Sequence, residues 1–245
     1  MTRFTLKNPI IIGFFLCLLL PIIGFSSEGF SSATQPIEPN LTQQNTPPAK
    51  YDLSDFSQFK TDPIYGAKDA RFVFIEYADY QCPYCKKFHQ TLEKWFNTDH
   101  QKQLNSPFEV NWVFRHFPIL GEKSMLKAKT AICVLNELGN DAFWVFNDLL
   151  FTQPIKPSKR LNYQQSLWLL ASKQGWDVKT LMSCDNSKNY QTKLKLLAQQ
   201  AKALNLGSTP SWFFLDLNTG KVIVGNGILN LTQLDQLLLD QTATP

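Results

Sequence analysis

Cys82-Pro83-Tyr84-Cys85 places two thiols two residues apart, and of all the side chains in this chain these are the best placed to do chemistry. Cysteines so spaced can hold a disulfide, open it to an attacking thiolate and close it again. Pro83 suits the first turn of a helix, where its missing N–H costs nothing. Phe88, Leu92, Trp95 and Phe96 then follow at helical spacing. Cys82 therefore sits at a predicted helix N-terminus, facing unpaired N–H groups and the positive end of the dipole. That setting favours thiolate over thiol and makes Cys82 the nucleophile. Cys85, one turn further in, is placed to attack a mixed disulfide on Cys82.

Other uses of such a pair fit less well. Zinc needs two further ligands in a similar arrangement, but Cys133 and Cys184 stand far apart and His89, His100 and His116 lack the spacing. Haem attachment needs a histidine directly after the second cysteine, where this chain has Lys86. A purely structural disulfide closing so short a loop gains little chain entropy. No metal and no other cofactor is expected.

The elements that must position the pair are legible on both sides of it. Phe72-Val73-Phe74-Ile75 has the composition of a buried strand, and Asp79-Tyr80-Gln81 reads as the turn into the helix. Asp62 to Gly66 reads as a turn before that strand, and Phe108 to Phe114 as a second strand ending at Arg115-His116-Phe117-Pro118. The period then changes. Ser124 is the expected cap of a helix stopped by Gly139, and Asp141 the expected start of another. A third covers Leu167 to Ala171, Asp177 caps a short fourth, and a fifth carries Tyr190, Leu194, Leu197, Ala201 and Leu204. Ser211 to Leu215 and Lys221 to Val224 read as a hairpin about Asn218-Thr219-Gly220, followed by an amphipathic helix through Leu238. This order predicts an α/β protein: a mixed sheet flanked by helices, with an all-helical insertion between its two halves.

Composition narrows the function classes. The chain has 245 residues, 44% hydrophobic and 13% aromatic, enough to bury a sizeable core. The net charge of +4 includes Arg3 and Lys7 near the start, and no basic stripe stands out. Lys86-Lys87 and the Lys193/Lys195 pair read as solvated helix faces, so nucleic-acid binding has no support. Residues 9–25 form an apolar run behind Arg3 and Lys7, the layout of a secretory signal or an N-terminal membrane anchor. Both fit, and both imply export to a compartment where disulfides persist. Residues 26–50, rich in Ser, Thr, Gln, Asn and Pro, read as a flexible linker.

Taken together, these pieces resemble the DsbA-like thiol:disulfide oxidoreductases, a thioredoxin-fold family of the bacterial periplasm with a helical insertion. The resemblance covers roughly Asp62 to Leu239. It rests on Asp62-Pro63 and Gly66, Phe74-Ile75-Glu76-Tyr77, Cys82-Pro83-Tyr84-Cys85, Arg115-His116-Phe117-Pro118, Phe143-Trp144 and Ser208-Thr209-Pro210-Ser211. It implies a thioredoxin-like domain in two parts, residues 51–118 and 206–245, separated by the helical insertion 119–205, behind the signal or anchor of residues 1–25. It also implies that Thr209–Pro210 is a cis peptide bond beside the active-site dithiol, exposing the Thr209 backbone to an incoming peptide. The plainer alternative is a trans proline opening an edge strand.

Glu76 interrupts an apolar strand six positions before Cys82, and a matching glutamate lies beneath the active site in the family. A buried carboxylate there would have a raised pKa and could relay the Cys85 proton, whereas a strand-end glutamate would reach solvent. Asp79 reads as a turn former, and His89 and His116 as structural or surface groups. Cys133 and Cys184 are expected to form a structural disulfide, the alternative being two inert core thiols. The strongest oxidants of the family carry histidine where this chain has Tyr84, which leaves the driving force open. The resulting expectation is an exported oxidoreductase that exchanges a Cys82–Cys85 disulfide with cysteines of exported proteins, chiefly as an oxidant. The implied partner is a membrane quinone-linked protein that reoxidises it. A disulfide isomerase or reductase is the enzymatic alternative, although no segment before Lys50 reads as a dimerisation domain; a substrate-holding module is the non-enzymatic one.

Overall fold

The computed structural model describes residues 40–44, 61–66, 70–96, 110–187 and 189–242. The expected signal or anchor at residues 1–25 lies outside them. Among the described residues no helix is long and apolar enough to cross a membrane.

Six strands form one mixed sheet: β1 (Asn40–Gln44), β2 (Ile64–Tyr65), β3 (Phe72–Ala78), β4 (Val110–His116), β5 (Ser211–Asp216) and β6 (Val222–Asn226), in the order β1-β6-β5-β3-β4-β2. Only β3 and β4 run parallel, and α1 (Pro83–Trp95) lies between them in sequence. The other pairs are antiparallel. Between β4 and β5 the chain forms α2 (Glu122–Leu138), α3 (Asn140–Thr152), α4 (Tyr163–Ser172), α5 (Val178–Ser187) and α6 (Asn189–Ala203), and it closes with α7 (Leu231–Thr242).

Strand β3 is central and buried along its whole length. Strand side chains alternate between faces, so Phe72 and Phe74 join Phe88, Leu92 and Trp95 of α1 and Leu234, Leu237 and Leu238 of α7. Val73, Ile75 and Tyr77 pack on the opposite face with Ala201 and Leu204. Glu76 has the parity of Phe72 and Phe74, which directs its carboxyl toward α1. A third cluster fuses the insertion to the site: Cys82, Cys85, Tyr80 and Phe114 share one apolar core with Phe143, Phe146, Leu150, Leu167 and Trp168. The apolar contacts are supplemented by a buried ion pair, in which Arg115 Nε donates to Asp62 at 2.8 Å and Nη1 to the Tyr77 hydroxyl at 2.7 Å.

Several expectations need correcting. Asn40–Gln44, inside the stretch read as linker, pairs with β6 from Asn40↔Asn226 to Gln44↔Val222. An edge needs only main-chain N–H and C=O groups from its partner, so polar composition does not prevent pairing. Ser124 is buried two residues inside α2, whose N-cap is Gly121 at φ 95°. Helix α3 begins at Asn140, not Asp141, because Gly139 (φ 86°) ends α2 and caps α3 at once, a backbone turn that glycine makes without strain. The second strand starts at Val110 among the described residues and continues through Arg115 and His116. Lys193 is no solvated face: it pairs with Asp62.

Cys133 on α2 and Cys184 on α5 are joined, with Cα atoms 5.6 Å apart and a separation of 51 positions in sequence. Constraining a loop of that length in the unfolded chain is worth about 4 kcal/mol in the entropic model, less in most measured cases. The Cys133→Ala/Cys184→Ala protein should therefore lose about 2–4 kcal/mol in denaturant unfolding. A loss well under 1 kcal/mol would show that the insertion does not depend on the bond.

Candidate active site

Cys82 caps α1 with extended backbone (φ −75°, ψ 120°), and Pro83 occupies the first helical position. The turn that delivers it is closed twice. Cys82 N–H donates to the Asp79 carbonyl at 3.0 Å, and Asp79 Oδ1 accepts the Gln81 N–H at 2.7 Å. Asp79 Oδ2 accepts the Leu120 N–H at 2.8 Å, so this turn former also fastens the loop leading into the insertion.

The two free thiols differ sharply in setting. Cys82 keeps 5% of its surface exposed and Cys85 none. Its hydrogen bond with the Cys85 thiol is the largest influence on the Cys82 thiolate. Burial opposes that, while the Thr209 side chain and the backbone N–H groups of Cys85 and Tyr84 add to it, and the pKa falls to about 5. In its thiol form Cys82 donates instead to the Thr209 carbonyl at 3.3 Å. Cys85 moves the other way: burial first, then its bond to Cys82 and the charge of Glu76, push its thiol far up.

Glu76 is fully buried rather than reaching solvent. Trp112 Nε1 donates to its Oε2 at 3.2 Å, and Oε1 has no hydrogen-bond partner among the described residues. Burial raises its pKa to about 8, with the His89 charge and the Trp112 bond pulling down and the Cys82 charge pushing up. His89 is buried against Phe151 and Trp112, at ring-centroid distances of 4.7 and 5.3 Å. Its Nε2 lies 3.4 Å from Glu93 and 3.5 Å from Asp148. Burial works against its charge, but these carboxylates prevail and raise its pKa to about 9. His89, Glu93 and Asp148 are the one group among the described residues close enough to share a metal ion. Their geometry is equally that of an imidazolium held between two carboxylates. His116 is also buried, and desolvation drives its pKa down to about 3. Neither histidine is a surface group.

The Thr209–Pro210 bond is cis, and the Thr209 carbonyl faces Cys82. Tyr84 is 47% exposed and Pro83 is exposed beside it. The structure thus gathers Cys82, Cys85, Glu76, Thr209 and Pro210, whereas Cys133 and Cys184 are paired elsewhere in the insertion. Sequence reasoning missed two neighbours of Glu76. Trp112 comes from the adjacent strand, and His89 lies one turn beyond Cys85; the helical interval from Cys85 was the only available signal for it.

Because the Cys82 value lies below the ~8.5 of an unfolded cysteine, its thiolate stabilises the reduced fold. That contribution is complete above about pH 8.5 and is lost as pH falls through about 5. Thiolate absorbance of the reduced protein should rise with a midpoint near pH 5. Over the same window the reduced form should gain stability relative to the oxidised form. A first thiolate appearing only above pH 8 would remove the basis for treating Cys82 as activated.

Comparison with known proteins places this geometry. A family model described as Thioredoxin matches residues 58–220. The chain is 22% identical over 155 residues to the probable disulfide bond formation protein D of Bacillus anthracis, covering 62% of this chain and 69% of that protein. It is 32% identical over 99 residues to disulfide bond formation protein D of Bacillus subtilis, covering 40% of this chain and 42% of that protein. Among solved structures, DsbA2 of Pseudomonas aeruginosa superposes with a TM-score of 0.58 at 26% identity, covering 74% of this chain and 93% of that one.

Proposed function

The chain belongs to the thioredoxin family as a DsbA-like thiol:disulfide oxidoreductase, and from that premise we propose that it oxidises cysteines of exported proteins through a Cys82–Cys85 disulfide. The observation that carries this reading is the opposed acidity of the two thiols, Cys82 lowered to about 5 and Cys85 pushed up. A substrate thiolate attacks Cys82 Sγ, the Cys82–Cys85 bond breaks, and Cys85 leaves with the electron pair. A second substrate thiolate then attacks the substrate sulfur of the mixed disulfide and releases Cys82 as thiolate. The substrate departs with a disulfide, and two electrons remain on the dithiol.

Each step draws on a neighbour. Cys85 needs a proton as it leaves, and Glu76, protonated near neutral pH, can supply one from beneath it. The Thr209 main chain, whose carbonyl faces Cys82, would pair with the substrate strand. A stabilised Cys82 thiolate favours the reduced form and so makes the disulfide oxidising. Tyr84 offers no positive charge, which sets the potential below that of relatives with histidine there. Residues 9–25 would direct the protein to the periplasm, cleaved or as a tether, where a membrane quinone-linked partner would reoxidise it.

Trapping tests the assignment of the two thiols. Cys85→Ala should accumulate mixed disulfides with client proteins and Cys82→Ala should not; the opposite pattern would exchange their roles. The glutathione equilibrium decides direction: a potential above about −270 mV, that of a cytosolic thioredoxin, fits an oxidant, and one at or below it fits a reductase.

The Glu76 relay makes a separate claim on pH. Attack on the disulfide, at fixed substrate thiolate, should slow as pH rises through about 8 and Glu76 ionises. Glu76→Gln should be slower by roughly 10²-fold below that pH, the usual size of a general-acid contribution, and should lose the inflection. An unaltered profile in Glu76→Gln would assign the carboxyl a packing role only.

A further inference from the structure

A cleft of about 450 Å³ opens between the insertion and the residues that flank the Cys82–Cys85 segment in the chain. Gln81, the residue before Cys82, and Lys86, the residue after Cys85, form one wall. Lys123 and Lys127 of α2, Tyr163 of α4 and the stretch from Phe151 to Ile155 form the rest. Neither the cysteines nor Thr209 and Pro210 line it, so the cleft is a second surface, distinct from the Thr209 main chain that faces Cys82 and joined to the thiols through Gln81 and Lys86.

The charge of the cleft is one-sided. Three lysines line it, and among its lining residues there is no aspartate or glutamate. Lys86 and Lys123 are exposed, free to reach a ligand, while Lys127 is buried and donates to the carbonyls of Tyr80 (3.2 Å) and Leu150 (2.7 Å). Burial lowers the Lys127 pKa to about 8, the charge of Asp79 opposing it, and both carboxylate oxygens of Asp79 are taken by main-chain N–H groups, so the charge a ligand meets is chiefly that of Lys86 and Lys123. The far wall is held in place: Gln81 Nε2 donates to the Tyr163 hydroxyl at 3.3 Å, and Lys123 Nζ lies 5.5 Å over the Tyr163 ring. A wall tied to Gln81 stays in register with the nucleophile.

We infer that this cleft receives carboxylate side chains flanking the reacting cysteine, making acidic cysteine-containing segments the preferred substrates of the oxidoreductase. The inference rests on the thiol–disulfide reading above. An extended chain advances about 3.3–3.6 Å per residue, so aspartate or glutamate one to three residues from the cysteine lies within about 11 Å of it, and Lys86, next to Cys85 in the chain, is the first lysine such a side chain meets. One end of the substrate then pairs with the Thr209 main chain, which reads no side chain, and the other is chosen by charge. Partly exposed charges of this kind act mainly on encounter and are screened by salt.

Three single-cysteine peptides, alike except for two glutamates, two glutamines or two lysines flanking the cysteine, test this against the oxidised full chain. Rates are divided by those of the same peptides with a neutral small-molecule disulfide, which removes the effect of the flanking charges on the peptide thiol itself. At low salt the glutamate peptide should exceed the lysine peptide by roughly 10-fold, and the ratio should shrink toward one in ~1 M salt. Lys123→Gln should reduce the ratio and Lys86→Gln/Lys123→Gln should abolish it; because each is a ratio within one protein, a general change in Cys82 reactivity cancels. Equal corrected rates for all peptides, or a preference that survives the double substitution, would overturn the inference. Failure of all three peptides, the glutamine one included, would instead overturn the thiol–disulfide reading.

Discussion

The Cys82 thiolate depends on a main-chain constraint: the first turn of α1 has to begin where strand β3 ends. Asp79 holds that junction by accepting from Cys82 and Gln81 on one side and from Leu120 on the other. With the turn fixed, the N–H groups of Tyr84 and Cys85 and the Cys85 thiol all converge on one sulfur. Cys85, carried one turn deeper by the same helix, loses its solvent. A single geometric fact therefore separates two chemically identical groups into an acidic thiol and a reluctant one.

Beneath that pair the protein keeps a carboxyl in a place where burial penalises its charge. Glu76 has one hydrogen-bond donor, Trp112, and one nearby cation, His89, and desolvation still wins. Balance is the useful property here. A carboxyl with full hydrogen-bonding would stay ionised, and one with no partner would stay protonated throughout the working pH range. A value near 8 lets Glu76 respond to the charge on the cysteines above it. His89 owes its charge to Glu93 and Asp148, which reach the solvent boundary, so the setting of the buried carboxyl extends to the surface through one imidazole.

The helical insertion does more than cover the sheet. Its core is continuous with Tyr80, Cys82 and Cys85. The Cys133–Cys184 bond joins its first helix to its fourth, α2 to α5, and α2 is also the helix that carries Lys123 and Lys127 to the site. Stability of the insertion and the shape of the lysine-lined cleft are thus properties of the same helix.

Local features were readable from the amino-acid order alone. The strand before the cysteines, the helix after them, and the place of Cys85 one turn further in than Cys82 follow from alternation, helical period and Pro83, all set by neighbours within a few residues. The inward direction of Glu76 was only half legible: the resemblance implied a buried carboxylate, a strand-end glutamate reaching solvent stood beside it, and the fold chose the first. The cap of α2 was misread because Ser124 has the right chemistry, while the turn needed the positive φ of Gly121. Lys193 was misread because its partner, Asp62, lies 131 positions away. Trp112 beneath Glu76 and the meeting of three lysines in one cleft were decided only by the tertiary structure, and it also chose between the alternatives left open for the Thr209–Pro210 bond, which is cis, and for Cys133 and Cys184, which are joined. Each depends on segments brought together by packing, and the periodicity of one segment carries no information about which other segment will lie against it.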